Sequence, residues 1–519
     1  MRWNRLRRAQ ISALNKKEEN STVTMYFPES EGILKRFLHG MTDGMTDKSF
    51  LEAEIKKWLV SDERARQTEG KNYYDGNHDI LKRKRTVIGE DGRLTTVENL
   101  PNNRIVNNQY KKIVEQKANY LCGKPISFDT DTPEYGAALT RFFDRRRQRI
   151  LRIIAEYALN GGKAWVCPYY DNGDLLFAVF PAYEVLPFWA DEAHTQLDCA
   201  VHFFSVYEYD EYGTERLVNK VEVFHGGGID RFIWDNGYLV TDPDALSGPY
   251  ISVTDRSGAR KDYNWDRIPL ICFKVNHCET PLICSVKCLQ DALNLVESNL
   301  VNAMEQDVGN TIIVLKNYDG ENLGEFRRNL AAYGAVKVRT VDGAEGGVEA
   351  LTVDVSVDNY KSVIELLKKA IIENAKGYDA KDDRLSGNPN QMNIQSMYSD
   401  IDLDANCMET EFQAAFEELL FFVNSYFANA GIGNFENEKV NVIFNRDILI
   451  NEGEAIENCG ESRGLISDET IIKMHPWVDD PIAEIARISA EKESATALTD
   501  SYGGMFANAD TGGTGDEKQ

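Results

Sequence analysis

Cys272, Cys278, Cys284 and Cys288, with His277 among them, form the densest gathering of soft metal ligands in the chain. A zinc centre would need four such groups turned on one point, usually through paired Cys-x-x-Cys spacings. None of the nine cysteines is so paired. Cys284 and Cys288 share a helical face, but Cys272 falls in the strand-like run Leu270–Phe273, so buried free thiols are expected there. Phosphate chemistry has no better footing. Gly123-Lys124 and Gly162-Lys163 lack the upstream glycine and the following hydroxyl of a phosphate loop. No H-E-x-x-H, G-x-S-x-G or dinucleotide fingerprint occurs. The seven histidines, at 39, 78, 194, 202, 225, 277 and 475, are not paired at ligand spacing. His202 and His225 alternate with apolar residues, the habit of structural strand histidines. Carboxylate pairs such as Asp382-Asp383 and Asp479-Asp480 fall in loops or caps. No catalytic residue, metal ligand or cofactor site is assigned, and an enzyme is not expected.

Charge is the remaining candidate chemistry. Arg141, Arg145, Arg146, Arg147, Arg149 and Arg152 crowd one predicted helix. They could make a nucleic-acid or partner face, but a helix surface paired with acidic neighbours is the reading favoured here. The run Lys82–Arg85 reads as solvated surface. Lys361, Glu365, Lys369 and Glu373 alternate at i,i+4 and should pair along their own helix. The whole chain carries a net charge of −25 and a pI near 4.8. Such a chain is poorly suited to gripping nucleic acid through phosphates, yet compatible with a wall along which DNA slides. One polar loop, residues 380–393, is a place where a moving ligand could be contacted, with Lys381, Arg384, Asn388 and Asn390 as candidates.

The elements that must position these residues are long. With 519 residues, 42% hydrophobic and 10% aromatic, the chain should fold into two to four domains. No apolar run approaches the roughly 20 residues of a membrane helix. The basic segment Met1–Asn20 has no apolar stretch behind it, so a cytoplasmic protein without a signal peptide is expected. Leu282, Val286, Leu289, Leu293, Val296, Leu300 and Ala303 recur at gaps of four and three. That heptad seam predicts a helix over 281–308, about 42 Å long, with one narrow apolar stripe suited to side-by-side packing. Helices are expected at 30–70, at Asn107–Leu121 and, one or two, over Thr132–Asn160, and a largely antiparallel β region over 164–273, punctuated by Asn172-Gly173, Gly226–Gly228 and Asn236-Gly237. An α/β insert at 311–357 includes a strand at Thr311–Leu315 and a hairpin of Ala335–Arg339 with Val348–Val355. It is enclosed by the 281–308 helix and a returning helix, Asp358–Lys376. A third long helix covers Ile394–Asn429, and one strand Lys439–Phe444. Ser467 and Asp480 should cap short helices, with Pro481 at the first helical position. Residues 500–519 have little to bury.

Taken in order, several segments resemble the portal proteins of tailed bacteriophages, specifically the siphophage family of Gram-positive hosts or a related prophage. They are Tyr73-Tyr74-Asp75-Gly76-Asn77-His78-Asp79-Ile80, then Asn107-Asn108 through Lys111, Ile113 and Val114 to Tyr120–Ile126. Ile268-Pro269-Leu270, Ile312–Lys316, Phe444-Asn445-Arg446, Leu465–Thr470 and Trp477–Pro481 follow. The resemblance implies an α+β, multi-domain subunit of a ring, usually twelvefold, at one capsid vertex. It divides the chain into a wing (1–270), first stem helix (271–310), clip (311–357), second stem helix (358–379), tunnel loop (380–393), a helix and strand returning to the wing (394–450), a helical crown (451–499) and a disordered tail (500–519). It implies a channel for packaging and ejecting double-stranded DNA without regard to sequence. The implied partners are the terminase large subunit, head-completion and adaptor proteins, and the major capsid and scaffolding proteins, with no membrane. The place would be the virion, and the host cytoplasm during assembly. The residues alone leave open a coiled-coil scaffold or adaptor of another large assembly.

Overall fold

The computed structural model describes residues 47–88, 93–96, 101–209, 213–254, 259–306, 311–316, 347–352, 357–379, 391–446, 452–478 and 480–492. Helices and antiparallel sheets divide into two compact units. One takes the chain up to Trp58 together with 185–268, and the other takes 59–184 together with 269 onward. The segment 1–270 is therefore not one compact body. Residues 185–268 are spliced into the second unit's chain.

In the first unit, strands β6 (Val185–Trp189), β7 (Leu197–Tyr209), β8 (Glu215–His225), β9 (Gly228–Asp235) and β10 (Tyr238–Thr241) form an antiparallel meander in sequence order. Its turns follow from their residues. Asn236 and Gly237 both take positive φ (49° and 89°) between the paired Asp235 and Tyr238, a two-residue hairpin of the kind Asn-Gly favours. Helix α1 (Asp47–Leu59) seals one end: Phe50 meets Phe188 at 5.9 Å, and Trp58 meets Phe203 edge-on at 6.4 Å. A separate hairpin, β11 (Ile251–Thr254) with β12 (Arg260–Tyr263), is largely exposed.

The second unit holds the long elements. Helices α2 (Asp62–Tyr74), α3 (Gln109–Cys122), α4 (Pro133–Phe142) and α5 (Arg145–Gly161) precede strands β4 (Lys163–Asp171) and β5 (Asp174–Pro181). Short pairs flank them: β1 (Thr86–Ile88) with β2 (Leu94–Thr96), and β3 (Ser127–Asp129) with β16 (Asn441–Ile443). Strand β13 (Ile271–Lys274) completes a sheet ordered β13-β4-β5. Then come α6 (Ile283–Gln306), the antiparallel pair β14 (Thr311–Lys316) and β15 (Gly347–Thr352), α7 (Val357–Asn374), the 39-residue α8 (Gln391–Asn429), α9 (Glu452–Glu461), α10 (Asp468–Met474) and a helical run over 481–492. The expected partner of the 348–355 strand, Ala335–Arg339, lies outside the described residues; within them its partner is β14.

The core is aromatic. Phe412 and Phe416 of α8 stand edge-on to Phe273 of β13 at 5.3 and 6.0 Å, and Phe142 meets Phe427 at 5.5 Å. Each such side chain, fully buried, contributes about 1.5–3 kcal/mol of transfer free energy. Gly162 ends α5 at φ 80°, and a Cβ there would sit 2.0 Å from the Glu279 carbonyl. That close approach brings Glu279 onto Lys163 (2.6 Å) and Lys274 (3.2 Å), so a buried lysine is satisfied. Ser467 and Asp480 cap as expected, accepting from the N–H groups of Thr470 (3.3 Å) and Ile482 (3.0 Å). No helix among the described residues is long and apolar enough to cross a membrane.

Candidate functional site

The most elaborate constellation in the second unit is built on α6. Gln290, Asn294, Ser298 and Asn302 stand four residues apart on this helix, and all four are buried. The spacing places them in one row along the axis. Opposite them runs segment 101–108, which has no helix or strand of its own. Alternate backbone N–H groups of that strap donate to successive rungs. Asn103 donates to Asn302 Oδ1 (2.7 Å), Ile105 to Ser298 Oγ (3.0 Å), Asn107 to Asn294 Oδ1 (3.0 Å) and Gln109 to Gln290 Oε1 (3.1 Å). Gln290 Nε2 donates back to the Asn107 carbonyl (2.7 Å) and to Asn294 Oδ1 (3.0 Å). The ladder thus does for an isolated strap what a sheet neighbour would do, satisfying buried backbone donors.

The motif around Tyr73 locks this ladder in place. Asn294 Nδ2 donates to His78 Nδ1 at 2.8 Å, so the proton of this buried imidazole sits on Nε2, which donates to the Tyr73 carbonyl at 3.0 Å. The two rings stack at 4.4 Å. Burial pushes the His78 pKa down, against the opposing hydrogen bond to Tyr73. Asn108 closes the other side, accepting from Lys111 N–H (2.8 Å) as the cap of α3 while donating to the Tyr73 carbonyl (2.7 Å). Next to it, Lys287 reaches Asp79 (2.7 Å), Asp291 (3.0 Å) and Glu69 (3.3 Å), over the Tyr73 ring at 5.1 Å. Hydrogen bonds from Lys287 and Lys82 hold the Asp79 carboxyl down at about 2. Partial burial works against the Lys287 charge, but its bonds to Asp79, Asp291 and Tyr73 outweigh that and hold its pKa above the ordinary lysine range.

The residues of the heptad seam divide here. Val286 and Leu293 are fully buried, whereas Leu282, Leu289, Val296, Leu300 and Ala303 are half-buried. The row that the ladder uses was not recognised from the sequence, although polar residues recurring at i,i+4 beside an apolar stripe were its signal. Lys381, Arg384, Asn388 and Asn390 lie outside the described residues. The segments flanking that loop are pinned to α3. Gln116 and Tyr378 exchange hydrogen bonds of 2.9 and 3.1 Å, Tyr378 stacks near Tyr398 (4.5 Å), and Asp404 receives both Lys117 (2.5 Å) and Lys376 (2.9 Å). The expectation of buried thiols needs correction: Cys272 of β13 is half-buried and Cys278, before α6, is exposed, while Cys284 and Cys288 are exposed because they lie on α6 away from the face that buries Val286 and Gln290. Among the described residues no group of three or more His, Cys, Asp or Glu side chains could hold a metal. A cleft of about 830 Å³ opens between α8 and the C-terminal helices, lined by Tyr398, Leu403, Cys459 and Met474 among others.

These arrangements are those of a scaffold: long helices, a backbone strap and buried polar fasteners. Comparison with known proteins decides which scaffold. The family model described as phage portal protein, SPP1 Gp6-like, matches residues 60–497. The chain belongs to this portal family. The portal protein of Bacillus phage SPP1 is 27% identical over 432 residues, covering 82% of this chain and 83% of that one. The portal protein of Clostridium phage phiCD119 is 25% identical over 479 residues, covering 87% and 99%. A solved virion of a native gene transfer agent particle aligns with a TM-score of 0.35 and 11% identity, over 69% of this chain and 86% of that chain, a likeness too distant to argue from. Portal membership makes this a structural protein of a phage virion, associated with the capsid. Two segments that carried the resemblance, Tyr73–Ile80 and the Asn107-Asn108 stretch, are the ones that meet on the α6 ladder.

Proposed function

We propose that copies of this portal chain close into a ring of about a dozen subunits at one capsid vertex, with a central channel through which double-stranded DNA is packaged and ejected. The family match over 60–497 carries the reading. In it, α6 and α7 are the stem, 311–357 the clip, 380–393 the loop facing DNA through Lys381, Arg384, Asn388 and Asn390, and 451–499 the crown. A terminase large subunit supplies the ATP chemistry for which this chain has no phosphate loop. Head-completion and adaptor proteins, the major capsid protein and scaffolding protein are its other contacts, with assembly in the host cytoplasm. Leu295, Met304, Val363 and Leu366, exposed on α6 and α7, are what neighbouring stem helices would cover, which supports packing between copies. Electron microscopy and mass measurement of the purified protein test the ring. Particles of about a dozen subunits with a central hole are expected, and a monomer or dimer under all conditions would overturn the proposal. Deleting residues 382–391 should leave rings intact and abolish packaging; normal packaging would remove the loop from the DNA path.

A further inference from the structure

Six arginines crowd the end of α4 and the start of α5, and the structure divides them. Arg147 is used locally: its guanidinium donates to the Phe142 carbonyl (2.9 Å) and lies over the Phe142 ring (4.2 Å). Arg152 donates to Glu156 (2.9 Å). Arg141, Arg145, Arg146 and Arg149 are exposed, and among the described residues no carboxylate or other acceptor reaches their side chains. Asp144, beside them, is occupied in capping α5, accepting from Arg147 N–H at 3.0 Å. The expected pairing with acidic neighbours therefore holds closely for Arg152 and only loosely for Arg147, 4.0 Å from Asp144, and fails for the other four. That is unusual company in a chain of net charge −25, where Lys163, Lys220, Lys287 and Arg446 each hold two or more carboxylates. Without an anion the four charges repel one another.

Two more observations select the partner. No large hydrophobic side chain of α4 or α5 is exposed. A protein partner usually docks on an apolar or aromatic anchor, whereas nucleic-acid interfaces are polar and strongly cationic. The place matters as well. Phe142 packs on Tyr426 (5.6 Å) and Phe427 (5.5 Å), near the C-terminal end of α8, while residues 380–390 lead into its first residue, Gln391. A helix of 39 residues spans about 58 Å, so the arginines lie near one end of α8 and Gln391 marks the other.

We propose that Arg141, Arg145, Arg146 and Arg149 form a contact for the phosphate backbone of double-stranded DNA, separate from the channel loop and blind to sequence. Arg145 and Arg149 lie about 6 Å apart along the helix axis, and duplex DNA carries a phosphate charge every ~1.7 Å of its axis with both strands counted, so the contact needs no particular base sequence. The planar guanidinium also suits bidentate phosphate binding. The presence of DNA is taken from the portal reading.

The test uses the full chain in its assembled form and two unrelated duplexes of about 30 base pairs, with binding followed by anisotropy between about 50 and 200 mM salt. Each phosphate contact contributes about 0.9 to the slope of log affinity against log salt. Arg145→Ala with Arg149→Ala should lower that slope by about 1.8 for both duplexes, with particle mass and circular dichroism unchanged. The pair Arg145→Lys and Arg149→Lys, which keeps the charges, should keep the slope. Should the alanine pair disturb folding, Arg141→Ala alone should lower the slope by about 0.9. Unchanged affinity and slope would overturn the proposal. So would loss of the oligomer with DNA binding intact, which would give the surface to a second copy of the chain. The portal reading fails by a different result, a wild-type protein that never exceeds a dimer.

Discussion

Asn294 is the residue on which most depends. Its oxygen takes the Asn107 N–H and the Gln290 amide, and its nitrogen serves His78, so no apolar isostere can replace it without leaving buried donors and an acceptor unmet. Asn294→Leu should therefore cost about 2–4 kcal/mol in denaturant unfolding, while the exposed Leu295→Ala should cost under about 0.5 kcal/mol in the monomer. His78 adds a pH dependence with a defined sign. Its folded pKa lies below the ordinary 6.5, so the unfolded chain binds the proton more readily. Stability should be level above about pH 6.5 and fall as pH drops below it, and His78→Gln should flatten that limb in unfolding curves at pH 5–7. Asp79, held at about 2, erodes stability in the same direction but only as pH falls below about 4, so the two windows separate. None of this was legible in the sequence. His78 stood within a recognisable motif, but the atom it serves lies 216 residues away.

Among the elements, α6 shows what periodicity can and cannot reveal. The heptad pattern placed the helix within two residues at either end, 281–308 expected against Ile283–Gln306 observed. It also picked Val286 and Leu293, which the fold buries completely. It missed the polar row because hydrophobic spacing reports where apolar surface goes, while Gln290 to Asn302 are buried by hydrogen bonds to a strap remote in the chain. Turns were more legible, since Asn172-Gly173 and Asn236-Gly237 carry their own backbone preference. The junction of α3, α7 and α8 lends itself to direct measurement. Lys117 is buried against Asp404, with Lys376 on the outer side of the same carboxylate. Asp404→Ala strands a buried ammonium and should cost about 3–5 kcal/mol, whereas Lys376→Ala should cost about 0–1 kcal/mol. Equal losses in thermal or denaturant unfolding would show that Lys117 escapes to water.

For the whole molecule, charge and chain order set the terms. In the proposed ring, copies each bearing −25 would repel one another. Assembly followed by mass measurement should therefore improve as salt rises from about 0.05 to 0.5 M, where the screening length shrinks below 10 Å. DNA binding through the arginine patch should weaken over the same range. Opposite salt dependences on one sample would separate subunit contacts from phosphate contacts. The order of elements was readable, and with it the family. The split into two units was not, because the β region over 164–273 has one continuous period of two, although the fold divides it at Val185 and Pro269.

The strap and its helix also behave as a vernier. Four residues of helix advance about 6.0 Å and two residues of extended chain about 6.6 Å, so the two scales part by about 0.6 Å at each rung. Over three intervals the drift reaches about 1.8 Å, close to the length of one extra side-chain bond. Gln290, the one rung longer by a methylene, stands at the end of the row, where that drift has accumulated. Sliding α6 by a turn would set a short side chain where the long one stands, so the ladder fixes the axial position of α6 against the strap.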